Sequence, residues 1–173
     1  MPPELSGIIF DGGFCLISAF ITCSLGFFVY AQKPSLTLHR LFLAVMISAA
    51  YWATGEFFIW QADSPEGVYF WLKFSSFWPM TIAFGSHFIL EFTETYSREK
   101  KGLYILGAIY LAAFFLSVIG MFTDWLYIVI FQPGTGYLYI PADTVICRAE
   151  ILYTAFIMLW SLGVGFFLSL IHI

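Results

Sequence analysis

The stretch that decides the fold is LFLAVMISAAYWATGEFFIW, Leu41 to Trp60, in which Glu56 is the only charged residue. A transmembrane helix needs about 20 predominantly apolar residues to cross the hydrocarbon core of a bilayer, and this stretch supplies them. The whole chain has the same character, because 61% of its 173 residues are hydrophobic and only 10% are charged. Soluble domains carry about 25% charged residues. The sequence therefore predicts an all-α membrane protein in contact with the lipid bilayer.

Five apolar runs are long enough to span a membrane. They cover residues 8–31, 36–61, 67–95, 103–122 and 144–172. We interpret residues 1–173 as one transmembrane domain, a bundle of five helices. Because the last run ends without the basic flank expected on the cytoplasmic side, we expect the sequence to be the front part of a longer protein.

The connections between the runs carry turn signals. In the second connection Asp63 or Ser64 is suited to cap a helix, and Pro65 to start it. The fourth connection is the only long one. Its segment YIVIFQPGTGYLYIP, residues 127–141, has two β-prone runs around a Pro/Gly turn, which predicts a small extracellular β-hairpin between helices four and five.

The distribution of cations predicts the orientation of the chain. Lysine and arginine concentrate at the first and third connections, whereas the second contains Asp63 and Glu66 without a cation. The cations concerned are Lys33, Arg40, Arg98, Lys100 and Lys101. Since cytoplasmic loops are enriched in Lys and Arg, we expect a multi-pass cell-membrane protein with the N-terminus and the hairpin outside and the C-terminus in the cytoplasm.

Four charged residues in the second and third runs lie at matched depths. In a tight antiparallel helical hairpin, the numbers of two residues that face each other add up to a nearly constant value. The sums are 129 for Glu56 and Lys73 and 131 for Arg40 and Glu91. The first hypothesis is therefore that these two ion pairs hold the hairpin together, because charges inside a membrane usually face a partner.

The alternative hypothesis is a binding site that opens outward. Glu56 and Lys73 would then form a polar pocket together with Arg148 and Glu150 of the fifth run, which lie at similar depths. Ionisable residues inside a membrane mark functional sites by default. We take Glu56, Lys73, Arg148 and Glu150 as the candidate ligand-binding residues, for an unknown small-molecule or lipid ligand.

The third run contains Pro79 near its middle, which predicts a kink, because proline cannot donate the hydrogen bond of a regular helix. His87 and Glu91 share a helical face in the same run, but two side chains are too few to bind a metal. No catalytic motif, metal site or cofactor signature is found in the sequence, and nothing in it indicates nucleic-acid binding.

One long segment, LHRLFLAVMISAAYWATGEFFIWQADSPEGVYFWLKFSSFWPMTIAFGSHFILEFTE, Leu38 to Glu94, resembles the N-terminal seven-helix membrane sensor region of prokaryotic histidine kinases. The matching features are Trp52, the acidic turn DSPE, Trp71, Pro79, HF at His87 and Phe88, EFT at Glu91 to Thr93, and the basic turn SREKKG. The resemblance implies the first five of seven helices. It also implies a homodimer, and a kinase output domain downstream.

The resemblance implies a sensory input region of a signal-transduction receptor, which relays an external or membrane stimulus to a cytoplasmic output domain. Two other functions remain open from the residues alone. The intramembrane charges and the kink would also suit a transporter or channel fragment, although no inverted repeat is visible. Small residues and paired charges would suit an accessory subunit of a membrane complex.

Overall fold

A computed structural model describes residues 3–93 and 100–171, with side chains described for residues 12–93, 102–164 and 166. The described residues form six α-helices, one 3-10 turn and one two-stranded sheet. These are α1 (Pro3–Gln32), α2 (Thr37–Trp60), α3 (Pro65–Phe74), the 3-10 turn (Ser75–Phe77), α4 (Trp78–Phe92), α5 (Lys100–Phe122), β1 (Tyr127–Gln132), β2 (Gly136–Pro141) and α6 (Val145–Ile171). The predicted all-α membrane fold with a hairpin before the last helix is confirmed.

Four of the helices contain segments long and apolar enough to cross a membrane. The segments are Gly12–Gln32, Thr37–Trp60, Gly102–Phe122 and Val145–Val164. The third predicted run is present as α3 and α4 in succession, so the five predicted helical segments are all found. Its last two residues, 94 and 95, lie outside the described residues, as do Arg98 and His172.

Pro79 explains why the third segment is divided. Its nitrogen has no hydrogen and cannot bond the carbonyl of Ser75, four residues earlier. The chain instead tightens into the 3-10 turn, in which the Trp78 N–H donates to the Ser75 carbonyl. Ser76 Oγ donates to the Leu72 carbonyl at 2.8 Å, so a carbonyl in the last turn of α3 has a side-chain partner. The predicted kink is therefore a short 3-10 break just before the proline.

The predicted turn signals also have their expected structures. Ser64 is the N-cap of α3, where its Oγ accepts from the Gly67 N–H at 3.1 Å, and Pro65 is the first helical residue. In the hairpin, the Thr135 N–H donates to the Gln132 carbonyl. Gly134 between them has a φ of 93°. A Pro-Gly pair with positive φ at the glycine is typical of a type II turn.

Helix α4 lies at the centre of the bundle. It packs against α2, α5 and α6, whereas α1 packs mainly along α2. A middle cluster of buried side chains joins the three helices α4, α5 and α6. The cluster consists of Ala83, Ile109, Ala113 and Ile157. Alanine at two of these positions allows the helices to approach closely, as small residues do between membrane helices.

The helices and the sheet also meet at one end of the bundle, which we call the hairpin end. Here α2 ends, α3 begins, α5 ends and α6 begins. Ile59, Val68 and Leu72 form a buried cluster beneath the sheet. One face of the sheet covers this cluster with Tyr127, Val129, Tyr137 and Tyr139. Period-two alternation puts these four side chains on the same face, so the hairpin caps the bundle.

The register predicted for the second and third runs is confirmed. Phe58 stacks on Trp71 with ring centroids 4.1 Å apart, and Phe42 lies 5.7 Å from Phe88 at the other end of the helices. The residue numbers of these pairs add up to 129 and 130. Antiparallel pairing therefore keeps one register across the break at Ser75–Phe77.

Candidate functional site

A cleft of about 170 Å³ lies at the hairpin end, between α2, the α3–α4 break and the hairpin. It is lined by Trp52, Glu56, Leu72, Ser75, Trp78, Tyr127 and Tyr139. Four of these seven residues are Trp or Tyr, one carries a carboxylate, and the remaining two are small or aliphatic. A concave, mostly apolar site with few polar groups is typical of small-molecule binding.

Glu56 is the charged residue of this cleft. Its Oε1 accepts two hydrogen bonds, from Trp52 Nε1 at 3.1 Å and from Tyr139 Oη at 2.8 Å. Trp52 lies one helical turn earlier on α2, a spacing that places both side chains on one face. Tyr139 comes from the other side of the cleft, on β2. The carboxylate therefore links the long helix α2 to the hairpin.

The local sequence explains how these side chains meet. Gly55 lets α2 approach the break so closely that a Cβ atom there would lie 1.7 Å from Ser75 Oγ. On the hairpin, Val129 pairs with Tyr139 and Tyr127 pairs with Pro141. The rings of Tyr127 and Tyr139 are thereby edge to face, with centroids 5.4 Å apart. Close helix packing and strand register together bring the aromatic rings to Glu56.

Tyr127 connects the cleft to the last helix. Its Oη accepts from Trp78 Nε1 at 3.2 Å. Burial raises the pKa of Tyr127, and the nearby carboxylates of Glu150 and Glu56 raise it further. Burial likewise raises the pKa of Tyr139, with Glu56 adding to the effect. Both phenols are therefore neutral at physiological pH; Tyr139 donates to Glu56 and Tyr127 accepts from Trp78.

Glu150 lies on α6, near Tyr127, and is almost completely buried, with 2% of its surface exposed. Its Oε1 has no hydrogen-bond partner among the described residues. A buried carboxyl group without a partner is costly, and each such group in a native structure calls for an explanation. Glu56 and Glu150 are thus neighbours of the same tyrosine but have opposite hydrogen-bonding states.

The prediction that Glu56 pairs with Lys73 is wrong. Lys73 Nζ lies 2.9 Å from Asp124 Oδ1, in the connection after α5. Matched depth places two residues at one level of a helical hairpin, but it does not decide towards which neighbour each side chain turns. Lys73 faces α5, whereas Glu56 faces the hairpin.

The prediction that Arg40 pairs with Glu91 is also wrong. Arg40 Nε donates to the Pro34 carbonyl at 2.8 Å, in the connection before α2. The structure contains no ion pair between Arg40 and Glu91 within the described residues. The Pro34 carbonyl is close to Arg40 along the chain, and it accepts the hydrogen bond from the guanidinium in place of the Glu91 carboxylate on α4.

The structure brings two of the four candidate ligand-binding residues together. Glu56 lines the cleft, and Glu150 lies near Tyr127, outside the lining of the cleft. Lys73 is paired with Asp124, and Arg148 with Asp143, its neighbour just before α6. Both ion pairs are largely exposed. The predicted pocket of four charged residues is therefore not formed, because Lys73 and Arg148 pair with other residues and only Glu56 and Glu150 remain near Tyr127 at the hairpin end.

The aromatic side chains of the cleft were not among the predicted ligand-binding residues. Tryptophan is enriched at the interface between membrane and water, so the sequence alone indicates interfacial anchors at Trp52 and Trp78. A signal for Tyr127 and Tyr139 does exist in the sequence. In the predicted hairpin, alternate positions of each strand carry aromatic or β-branched residues that share one face, but only the fold puts that face over Glu56.

Fold and cleft together define a multi-pass membrane protein with an aromatic cleft at one end of its helices. The family model described as the N-terminal 7TM region of histidine kinase matches residues 14–171. The chain therefore belongs to this family, and it is a transmembrane sensor region of the histidine-kinase type. No significant match was found among curated proteins or among solved structures. The family favours the sensory alternative over the transporter and accessory-subunit alternatives.

Proposed function

We propose that this chain senses its stimulus at the aromatic cleft and passes the signal through α6 to a cytoplasmic kinase output domain. The observation that carries the proposal is the position of Glu56, which joins α2 to the hairpin through Tyr139. Tyr127, beside it, is close to Glu150 on α6. A change at the cleft therefore acts at once on α2, the hairpin and the helix that leads away from them.

Signalling requires two arrangements of the helices whose relative populations a stimulus can change. A ligand shifts such an equilibrium only by the difference between its affinities for the two states. Helix α6 packs on α4 through the middle cluster, and Ser161 Oγ donates to Ser86 Oγ at 2.9 Å. A displacement of α6 at the cleft would be carried along this contact as a rigid-body movement.

The proposed direction of signalling needs the hairpin end outside the cell. The cations Lys33 and Arg40 at the opposite end, and the carboxylates Asp63 and Glu66 at the hairpin end, support this orientation. Reporter tags inserted in the turn Gln132–Gly136 and in the segment 96–102 would test it. We expect the first tag to be accessible from outside and the second from the cytoplasm, and the reverse result would refute the orientation.

The relay is tested in a receptor in which this chain is joined to a histidine-kinase output domain. Kinase autophosphorylation should be measured for Glu56→Gln, which replaces the charged acceptor of Tyr139 by a neutral and weaker one, and for Tyr139→Phe, which removes the donor. Coupling energies between sites correspond to about 5- to 150-fold changes, and we expect basal output to change by at least the lower figure. Glu66→Gln, an exposed carboxylate in the first turn of α3, is the matched control. Unchanged output in both cleft variants would contradict the proposal.

A further inference from the structure

The cleft has aromatic walls on several sides. Trp52 contacts Trp78 with ring centroids 6.4 Å apart, Tyr127 contacts Tyr139 edge to face, and both pairs line the cleft. The volume of about 170 Å³ is that of a small organic group. An engineered apolar cavity of about 150 Å³ in another protein holds benzene. The cleft therefore fits a ligand of a few non-hydrogen atoms, lined by π-faces.

The cleft is lined by the carboxylate of Glu56 and by no lysine or arginine. Both hydrogen bonds to Glu56 go to Oε1, and no described residue donates to its Oε2. Glu150, near Tyr127, has an unpartnered Oε1 although only 2% of its surface is exposed. The ion pairs of the described residues are Lys73–Asp124 and Arg148–Asp143, so neither Glu56 nor Glu150 has a lysine or arginine within 4 Å.

We propose that the cleft binds a small organic cation, an alkylammonium group held by the aromatic rings and by the carboxylate of Glu56. Tryptophan and tyrosine faces attract quaternary ammonium groups, and surrounding rings recognise them as an aromatic cage. Glu56 lines the cleft, and its Oε2 supplies the opposite charge. The inference rests on the proposed function and names the ligand class of the same cleft.

Other ligand classes fit the cleft less well. An anion would meet the Glu56 carboxylate in a cleft that no lysine or arginine lines, and like charges in a poorly hydrated site repel strongly. A neutral apolar ligand would leave Glu56 Oε2 desolvated without a partner, which costs free energy. A compact monovalent cation such as Na⁺ would find one free carboxylate oxygen and otherwise aromatic rings, whereas metal ions of this kind prefer several oxygen ligands. An alkylammonium group satisfies both the charge and the apolar walls.

The experiment uses the full chain in nanodiscs of phosphatidylglycerol, titrated with choline and followed by calorimetry. The comparison ligand is 3,3-dimethylbutan-1-ol, which has the shape of choline with carbon in place of the charged nitrogen. We expect saturable choline binding that is at least about tenfold tighter than binding of the neutral analogue, since the cation–π and carboxylate contacts need the charge. Equal binding of the two compounds, or no saturable choline binding, overturns the inference.

Variants locate the binding in the cleft. Glu56→Gln keeps an oxygen that can accept from Trp52 and Tyr139, so the fold is preserved while the charge is lost. We expect it to weaken choline binding by about tenfold or more, and Trp78→Leu to weaken it by several-fold. Glu66→Gln, which removes an exposed charge of α3, should leave binding unchanged. An equal loss in Glu66→Gln would mean a general surface-charge effect and would overturn the site.

The source of the ammonium group is decided by a second set of nanodiscs. If a choline lipid headgroup occupies the cleft, discs of phosphatidylcholine should weaken the apparent affinity for free choline. If the ligand is a free solute, both kinds of disc should give the same affinity. Either result supports the cation chemistry.

Failure of the ligand class can be told from failure of the proposed function. Absence of choline binding together with altered kinase output in Glu56→Gln removes only the alkylammonium inference. Choline binding together with unaltered output in Glu56→Gln removes the signalling role of the cleft and leaves the binding site.

Discussion

The hairpin end and the middle of the bundle are built from different interactions. At the hairpin end, a carboxylate, phenols and indoles from four parts of the chain bond across a cleft. In the middle, Ala83 and Ala113 pack tightly among aliphatic and aromatic side chains, and the polar contacts include bonds of one hydroxyl to another or to a carbonyl. The open end has room to respond to a ligand, whereas the packed middle suits the transmission of a rigid movement.

The two regions meet where α2 crosses the break before α4, and this crossing gives the largest expected effect. A Cβ atom at Gly55 would overlap Ser75 Oγ, so Gly55→Leu must push α2 away from the break. Overpacking of this kind costs about 3 kcal/mol of the free energy of unfolding. Reversible unfolding in mixed micelles measures this loss in the free energy of unfolding.

Gly107→Leu on α5 is the matched control, because a Cβ atom there has open space around it. We expect it to change the free energy of unfolding by about 0.5 kcal/mol or less. Equal losses in the two variants would mean that glycine substitution in any helix is harmful, and that the close approach at Gly55 is unimportant.

The next prediction separates the two carboxylates of the hairpin end. Glu56→Leu leaves Trp52 Nε1 and Tyr139 Oη without their acceptor, so it should destabilise the ligand-free protein by about 2 kcal/mol. Glu150→Leu removes a buried carboxyl group without a partner and should stabilise it by about 1 kcal/mol or more. The free energy of unfolding of both variants, measured under the same conditions, gives the sign of each effect. Effects of the same sign would show that Glu150 is satisfied in solution.

A smaller effect is expected in the middle of the bundle. The hydrogen bond from Ser161 on α6 to Ser86 on α4 is buried and 2.9 Å long. Interhelical hydrogen bonds in membrane proteins contribute about 0.6 kcal/mol on average. A double-mutant cycle of Ser86→Ala and Ser161→Ala should give a coupling energy of this size. A coupling of several kcal/mol would mean that polar bonding, rather than small-residue packing, holds α6 to α4.

The smallest effect is expected for the exposed ion pair of Lys73 and Asp124. Its side chains are 38% and 64% exposed, and exposed pairs contribute between about 0 and 1 kcal/mol. A cycle of Lys73→Met and Asp124→Asn should give a coupling of about 0.5 kcal/mol or less, decreasing with added salt. A larger, salt-independent coupling would make Lys73 part of the structured hairpin end, which the geometry does not support.

Much of the fold could be predicted from the sequence. Apolar length defined the five helical segments, Ser64 and Pro65 defined the start of α3, and the Pro-Gly turn defined the hairpin. The antiparallel register of α2 with α3 and α4 followed from residue numbers. Each of these features depends on residues that are close in sequence or on the level at which a helix crosses the membrane.

The partners of the charged residues could not be predicted in the same way. Depth put Glu56 and Lys73 at one level, but the rotation of each helix decides the partner, and rotation depends on the packing of every neighbouring element. Glu56 turns to Tyr139, which is distant in sequence, and Lys73 turns to Asp124. Only the register of β1 with β2 and the docking of the hairpin on Val68 and Leu72 made Tyr139 available.

The sequence by itself determined that this is a membrane-embedded helical protein with a carboxylate at Glu56, because apolar length and turn chemistry are local properties of the chain. The tertiary structure alone decided what that carboxylate meets. The reason is physical: a hydrogen bond needs two groups within about 3 Å, and the folding of α2, the 3-10 turn and the hairpin onto one another sets that distance.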